Sequence, residues 1–365
     1  MIKAYDNKPT FSSNMNGSYS VSQMYPQVFN SWAPERKKAH DAGFAFLTNR
    51  LAKLDPTLYK PLFNITYGKD IKGIELGNEL VDGIEYYSAD YTGIMDTVNN
   101  MFGEKGSVIP RVTGGLMQNR LPVYNFEVAY DLSFVEVEKL SGKQLPISIE
   151  KVYQELVQTG FDLFANRVAY LGVGDQGGLL NHDNVEVNVL PLTAEAFVDA
   201  GTTDQQVLAA INGMFQYYFN QSNFNINIIP DTLLVPSFVA NELSSRISTM
   251  YTNTLYEFLM EHNLAKNTAM VNGLNDFKLK IVARPQLDVL GTAGTGRMVL
   301  YRNDPQFVKF HIPFGFKSFY TGPNVEKMAY TTLWVAQVSQ IQLPYNDSAD
   351  EFGAVSYWDF AAEQA

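Results

Sequence analysis

The stretch "YLGVGDQGGLLNHDNV", Tyr170 to Val185, holds the residues whose spacing most resembles a chemical site. Gly172-Val173-Gly174-Asp175-Gln176-Gly177 satisfies the pattern G-x-G-x-x-G. That pattern cradles a dinucleotide pyrophosphate when a strand precedes it and a helix opens after it. Here a long helical pattern precedes Gly172, and "GLLNHDNVEVNV" leads on to a strand pattern. The order is inverted, so no helix N-terminus faces the phosphate position. The plainer reading makes Gly172 the residue that ends a helix. A tight structural turn follows, in which Gly172, Gly174, Gly177 and Gly178 permit positive φ.

Other chemistry finds little support. The four histidines, His40, His182, His262 and His311, do not pair at metal-ligand spacing. His182-Asp183 could form an acid–base pair, but a surface turn is the expected reading. "GTAGTGR", Gly291 to Arg297, could hold an anion, although a hairpin or mobile loop between two strands explains it as well. The sequence contains no G-x-S-x-G elbow, HExxH or P-loop string. No catalytic, cofactor-binding or metal-binding residue is therefore assigned, and no cofactor is expected.

The totals set wider bounds. With 365 residues, 46% hydrophobic and 18% charged, the chain can bury a sizeable core. A net charge of −11 argues against a nucleic-acid grip, and the densest basic cluster is only "ERKK", Glu35–Lys38. The absence of Cys excludes disulfides and thiolate chemistry. No apolar run approaches the ~18 residues that span a bilayer. "MIKAYDNKPT" shows no signal-peptide core, so synthesis in the cytoplasm is expected. The 21 Tyr and 24 Phe suit either a large β-rich core or contacts between subunits.

The elements that must position these residues follow in order. Residues 1–70 read as a polar, turn-rich arm with a short helix from Pro34 to about Leu54. Residues 71–130 read as an extended hairpin or two: "GIEYYSADYTGIMDTV", "GSVIPRVTGGLM" and "LPVYNFEVAYDL" are strand-like pieces cut by Gly, Asp and Asn. A long helix is expected over about 148–171, with Ser148 as N-cap. Its apolar rows are Ile149, Val152, Leu156 and Leu163, flanked by Val157, Phe161, Phe164 and Val168. "VEVNVLPL" is a strand. Helices and strands mix over about 193–315, with Thr203 or Asp204 capping "TDQQVLAAINGMFQYYF". "MAYTTLWVAQVSQIQLPY" and "VSYWDF" are closing strands. The mixture has no regular βαβ period, which places the chain in the α+β class.

This order resembles that of the major capsid proteins of tailed double-stranded-DNA phages with the Hong Kong 97 fold. "FANRVAYLGVGDQGGLLNHDNV", Phe164 to Val185, is similar to that family's helix ending in an aliphatic-Gly turn and "GLLN". "GTAGTGRMVLYRNDPQFVKFHIPFGF", Gly291 to Phe316, looks like its stretch before the closing strands. The resemblance implies an N-terminal arm at 1–70, an extended loop at 71–130, and a peripheral domain at 131–192 and 316–365 with its spine helix at about 148–171. It also implies an axial domain at 193–315. The implied function is non-enzymatic: self-assembly through hexamers and pentamers into the icosahedral head shell of a virion. Portal, scaffolding and decoration proteins are possible partners, and packaged DNA is enclosed without sequence-specific binding. Tyr19, Tyr25, Phe29, Trp32, Tyr86, Tyr87 and Tyr91 are the candidate assembly-interface residues. No lysine crosslink is assigned to Lys69, Lys72 or Lys105. Encapsulin-like cargo shells share the fold and remain an alternative, and a nucleotide-dependent enzyme using Gly172–Gly177 is a second.

Overall fold

The computed structural model describes residues 61–92, 113–135, 137, 149–247, 253–345 and 353–362. The expected helix at 34–54, the Ser148 cap, Lys105, and Tyr19, Tyr25, Phe29 and Trp32 lie outside them.

A short helix α1 (Tyr67–Asp70) leads into β1 (Gly73–Leu76) and β2 (Gly83–Thr92). The pieces expected as separate strands join into β3 (Thr113–Ser133), 21 residues without a break. Pro122 does not interrupt β3, because partners change there: residues 113–122 pair with β2 and residues 123–133 with β10 (Ala329–Ser339). Proline lacks a ladder N–H, so it is tolerated where one ladder hands over to another. At about 3.4 Å per residue, β3 is roughly 70 Å long. Such a strand reaches well past a single core.

The long helix α2 covers Ile149–Leu171. Its packing corrects the expected stripe. Val157, Phe161, Ala165, Val168 and Ala169 are buried, whereas Leu156 is 65% exposed. The flanking row faces the core because β3 and β10 lie on that side, bringing Tyr130 and Trp334 against Val157.

Then follow β4 (Val187–Thr193), α3 (Ala194–Val198), α4 (Asp204–Gln221), β5 (Thr232–Val235) and α5 (Ser237–Ser245). α6 (Leu255–Glu261), α7 (Leu264–Val271), β6 (Lys280–Ala283) and β7 (Arg297–Tyr301) come next. The chain closes with β8 (Lys309–Ile312), β9 (Phe314–Asn324), β10, β11 (Ile341–Gln342) and β12 (Val355–Ala361). α4 starts as expected: Thr203 accepts from the Gln206 N–H while the Gln206 side chain accepts from the Thr203 N–H, a complete capping box.

Among the described residues the strands form three sheets: β1-β8-β11, β2-β3-β10-β9 and β4-β12-β7-β5-β6. β5 lies between β6 and β7, so the "GTAGTGR" loop does not turn a hairpin. One core gathers α2, β8, β10, β11 and one face of the five-stranded sheet. A second packs α4 to α7 on that sheet's other face, through Val207, Ile211, Met214, Phe215 and Tyr218. These residues recur at helical spacing along one side of α4. β12 reads "VSYWDF" with both faces buried, because Tyr357 enters the first core while Trp358 and Phe360 enter the second.

Candidate functional site

The last four carbonyls of a helix have no partner within it. At the end of α2 each is satisfied by the turn that follows. The Gly172 N–H donates to Val168 (3.0 Å), Leu179 N–H to Ala169 (2.9 Å) and Leu180 N–H to Tyr170 (3.0 Å). Asn181 Nδ2 donates to the Leu171 carbonyl (3.1 Å), and its Oδ1 accepts the Gly178 N–H (2.8 Å). "GLLN" is therefore the C-cap of the long helix, folded back over its end. Leu179 and Leu180 are fully buried.

The glycines divide into two kinds. Gly172 (φ +72°) and Gly174 (φ +62°) are left-handed, as expected. Gly177 and Gly178 are not among the positive-φ residues, which corrects that part of the reading. They are needed for closeness: a Cβ on Gly178 would strike the Tyr170 carbonyl, and one on Gly177 would strike the carbonyl of Asn181. The turn thus meets the negative end of α2 and spends its donors on helix carbonyls, the opposite of a phosphate cradle.

His182 is buried and not at a surface turn as expected. Its N–H donates to the Tyr357 hydroxyl (2.9 Å), and its Nδ1 accepts the Asn184 N–H (3.3 Å). Tyr357 in turn donates to the Leu179 carbonyl (2.7 Å). Burial raises the Tyr357 pKa, so the phenol stays neutral and keeps donating. Asp183 is exposed. These contacts make His182 a structural residue.

The glycine-rich loop ending at Arg297 does hold an anion, and the anion is internal. Arg297 donates to Asp359 from Nε (2.6 Å) and Nη2 (3.0 Å), and to the Leu180 carbonyl from Nη1 (3.0 Å). Thr292 adds its N–H and hydroxyl to the same carboxylate, both at 2.7 Å. The loop therefore has no cation left for an outside ligand. Among the described residues, no group of His, Asp or Glu could hold a metal ion, and no helix is long and apolar enough to cross a membrane.

The outward surface offers a different kind of site. On the β2–β3 hairpin Tyr87 is 67% exposed, Leu116 77% and Met117 63%. Tyr87 pairs with Gln118, so it shares a face with Leu116, while Met117 lies opposite with Tyr86. Tyr86 is half-buried and lines a ≈ 690 Å³ groove at the hairpin root with Ile84, Lys309 and His311. Tyr91 belongs to β2, and its side chain lies outside the described residues. The structure thus brings Tyr86 and Tyr87 onto one extended element. Sequence reasoning overlooked Leu116 and Met117, although both sit in a piece it had read as strand. It also overlooked Val325 and Met328, exposed at the β9–β10 turn.

A molecule with a long two-stranded element, exposed apolar residues upon it and an internally satisfied glycine turn fits the class of shell-building proteins. The model of the major capsid protein family matches residues 98–350, and the chain belongs to that family. Among solved structures it is similar to the capsid of Myoviridae phage XM1, with a TM-score of 0.63, 15% identity, and coverage of 86% of this chain and 98% of that one. It is also similar to the capsid of an empty GTA particle, with a TM-score of 0.54, 9% identity, and coverage of 87% and 98%. A structure from Microbacterium phage Oxtober96 gives a TM-score of 0.51, 10% identity, and coverage of 87% and 98%. No curated protein sequence matches the chain. The α+β, Hong Kong 97-type capsid fold expected from the sequence is borne out. The protein is a structural, non-enzymatic capsid component of a virion. These matches favour neither the cargo-compartment nor the nucleotide-enzyme alternative.

Proposed function

We propose that this chain assembles through hexamers and pentamers into a closed icosahedral head shell around double-stranded phage DNA, with the β2–β3 hairpin as a principal contact between copies. The observation that carries this is the exposure of Tyr87, Leu116 and Met117 on a long two-stranded element. Exposed apolar residues clustered on one projection mark an interaction surface. Residues 1–70 would act as an arm and 71–130 as an extended loop, with the peripheral domain at 131–192 and 316–345. We assign β12 to the axial domain with 193–315, because it pairs with β7 along Val355–Asp359. The net charge of −11 suits enclosure of DNA without tight binding. Separate scaffolding, portal and decoration proteins would complete the head, with synthesis in the host cytoplasm.

Light scattering after size exclusion, with negative-stain images of the leading fraction, tests this. Round, uniform megadalton particles are expected, from the chain alone or with a co-expressed scaffold. A 40.9 kDa monomer under both conditions would overturn it.

A further inference from the structure

A carboxylate buried to 0% exposure needs a reason, and Asp70 is one. Removing a carboxylate from water costs several kcal/mol unless donors replace the water. Asp70 Oδ2 accepts from Arg284 Nε (2.5 Å) and the Tyr170 hydroxyl (2.6 Å); Oδ1 accepts from Arg284 Nη2 (2.8 Å) and Lys280 Nζ (3.3 Å). Its carbonyl accepts from the Tyr301 hydroxyl (2.5 Å). Burial, and then the bond to Asp70, raise the Tyr170 pKa, so Tyr170 remains a donor. Its proton is committed to Asp70, hence the Thr66 hydroxyl donates to the Tyr170 oxygen at 2.8 Å.

One turn earlier on the same face of α2, Asn166 Oδ1 accepts the N–H groups of Thr66 (2.9 Å) and Tyr67 (3.1 Å). A few residues later, the Lys72 N–H donates to Asn303 Oδ1 (2.9 Å), and Lys72 Nζ lies 3.6 Å from Asp231. Seven residues, Thr66 to Lys72, are thus fastened to α2 on one side and to β6, β7 and their flanking residues on the other. The partners are as much as 231 positions away in sequence. The segment also stands immediately before the strands that carry the extended hairpin.

We propose that Asn166 and Asp70 are positioning residues for assembly. They lock the segment 66–72 as a strap between the spine helix and the five-stranded sheet, and so fix the direction from which the hairpin reaches a neighbouring copy. Packing alone would stabilise this junction without polar side chains. Apolar residues of similar volume often replace buried ion pairs at no loss of stability, whereas hydrogen bonds with one geometry specify orientation. This proposal rests on the assembly reading above.

The test compares assembled fraction and melting temperature in the full chain. Asn166→Leu removes the double acceptor, Asn166→Asp keeps it, and Val207→Ala weakens the distant second core as a stability control. At equal concentration, Asn166→Leu is expected to give a wild-type circular dichroism spectrum and at least a tenfold loss of particles. Asn166→Asp should assemble within twofold of wild type. Val207→Ala should also do so despite a comparable fall in melting temperature. Particles from Asn166→Leu at wild-type yield would overturn the proposal, as would an equal loss in Val207→Ala. If Asn166→Leu does not fold, Thr66→Val, which deletes only the hydroxyl bridge, is read by the same criteria. A wild-type chain that forms no particles removes the assembly reading itself, a result distinct from failure of the variants alone.

Discussion

Arg297 and Asp359 face each other across the β7–β12 ladder, and the guanidinium grips the carboxylate with two hydrogen bonds, at 2.6 and 3.0 Å. Asp359 is 1% exposed and Arg297 8% exposed. The pair closes the turn after α2, since Arg297 also holds the Leu180 carbonyl.

Breaking this pair leaves a buried, uncompensated cation. Asp359→Asn is therefore expected to cost about 3–5 kcal/mol, measured by urea denaturation of the unassembled chain. The double variant Arg297→Met with Asp359→Leu should recover much of that loss, because similar apolar volume replaces the ions. A single variant as stable as wild type would show that the pair contributes nothing.

The same carboxylate sets an acid limit. Burial alone would raise the Asp359 pKa, but the bonds from Arg297 and Thr292 outweigh it, and the net shift is downward. A depressed folded-state pKa contributes stability that is full above the unfolded value and lost as pH falls through the folded one. Wild type should therefore lose stability below about pH 4. The profile of Asp359→Asn should be flatter there, as followed by melting temperature against pH.

The two kinds of glycine predict two outcomes. Gly178→Ala places a methyl on the Tyr170 carbonyl and should prevent soluble expression or cost several kcal/mol. Gly174→Ala meets no atom within 4 Å and pays only for its left-handed backbone, about 1–2 kcal/mol. Thermal denaturation separates them, and equal melting temperatures would refute the distinction.

Nucleotide should be inert. Ligand at a hundredfold over its Kd would stabilise the fold by about 2.7 kcal/mol. Millimolar ATP or NAD should leave the melting temperature of wild type and of Gly174→Val unmoved. A shift in wild type that Gly174→Val abolishes would restore the phosphate-loop reading.

Surface variants and an N-terminal deletion should separate folding from assembly. Tyr87→Ala with Leu116→Ser removes exposed side chains, and surface changes of this kind usually lie within about 0.5 kcal/mol. The melting temperature should hold while particle yield falls. Deleting residues 1–30 should likewise leave a folded, poorly assembling chain. Normal particles from either variant would remove the corresponding element from the interface.

Much of the fold was legible because local rules settled it. Thr203 or Asp204 marked the start of α4, Gly172 marked the end of α2, and the inverted order around Gly172–Gly177 argued against a nucleotide loop. Each judgement needs only neighbours in sequence: a cap, a period or a positive φ. The shell-building role was implied only by a family resemblance, carried by the order of these elements and by the stretches Phe164 to Val185 and Gly291 to Phe316.

Tertiary structure decided what depends on partners far along the chain. Which row of α2 faces inward, with Leu156 out and Val157 in, was set by β3 and β10 arriving from either side of it in sequence. Pro122 passes through a single strand because its ladder changes hands there. His182 is buried because Tyr357, 175 residues away, reaches over it. Asp70 has no local feature that marks it as buried; its donors come from positions 170, 280 and 284. Hydrophobic period and backbone caps act over a few residues, so the sequence alone determines them. Burial and ion pairing are properties of the space between segments, which exists only once the chain has folded.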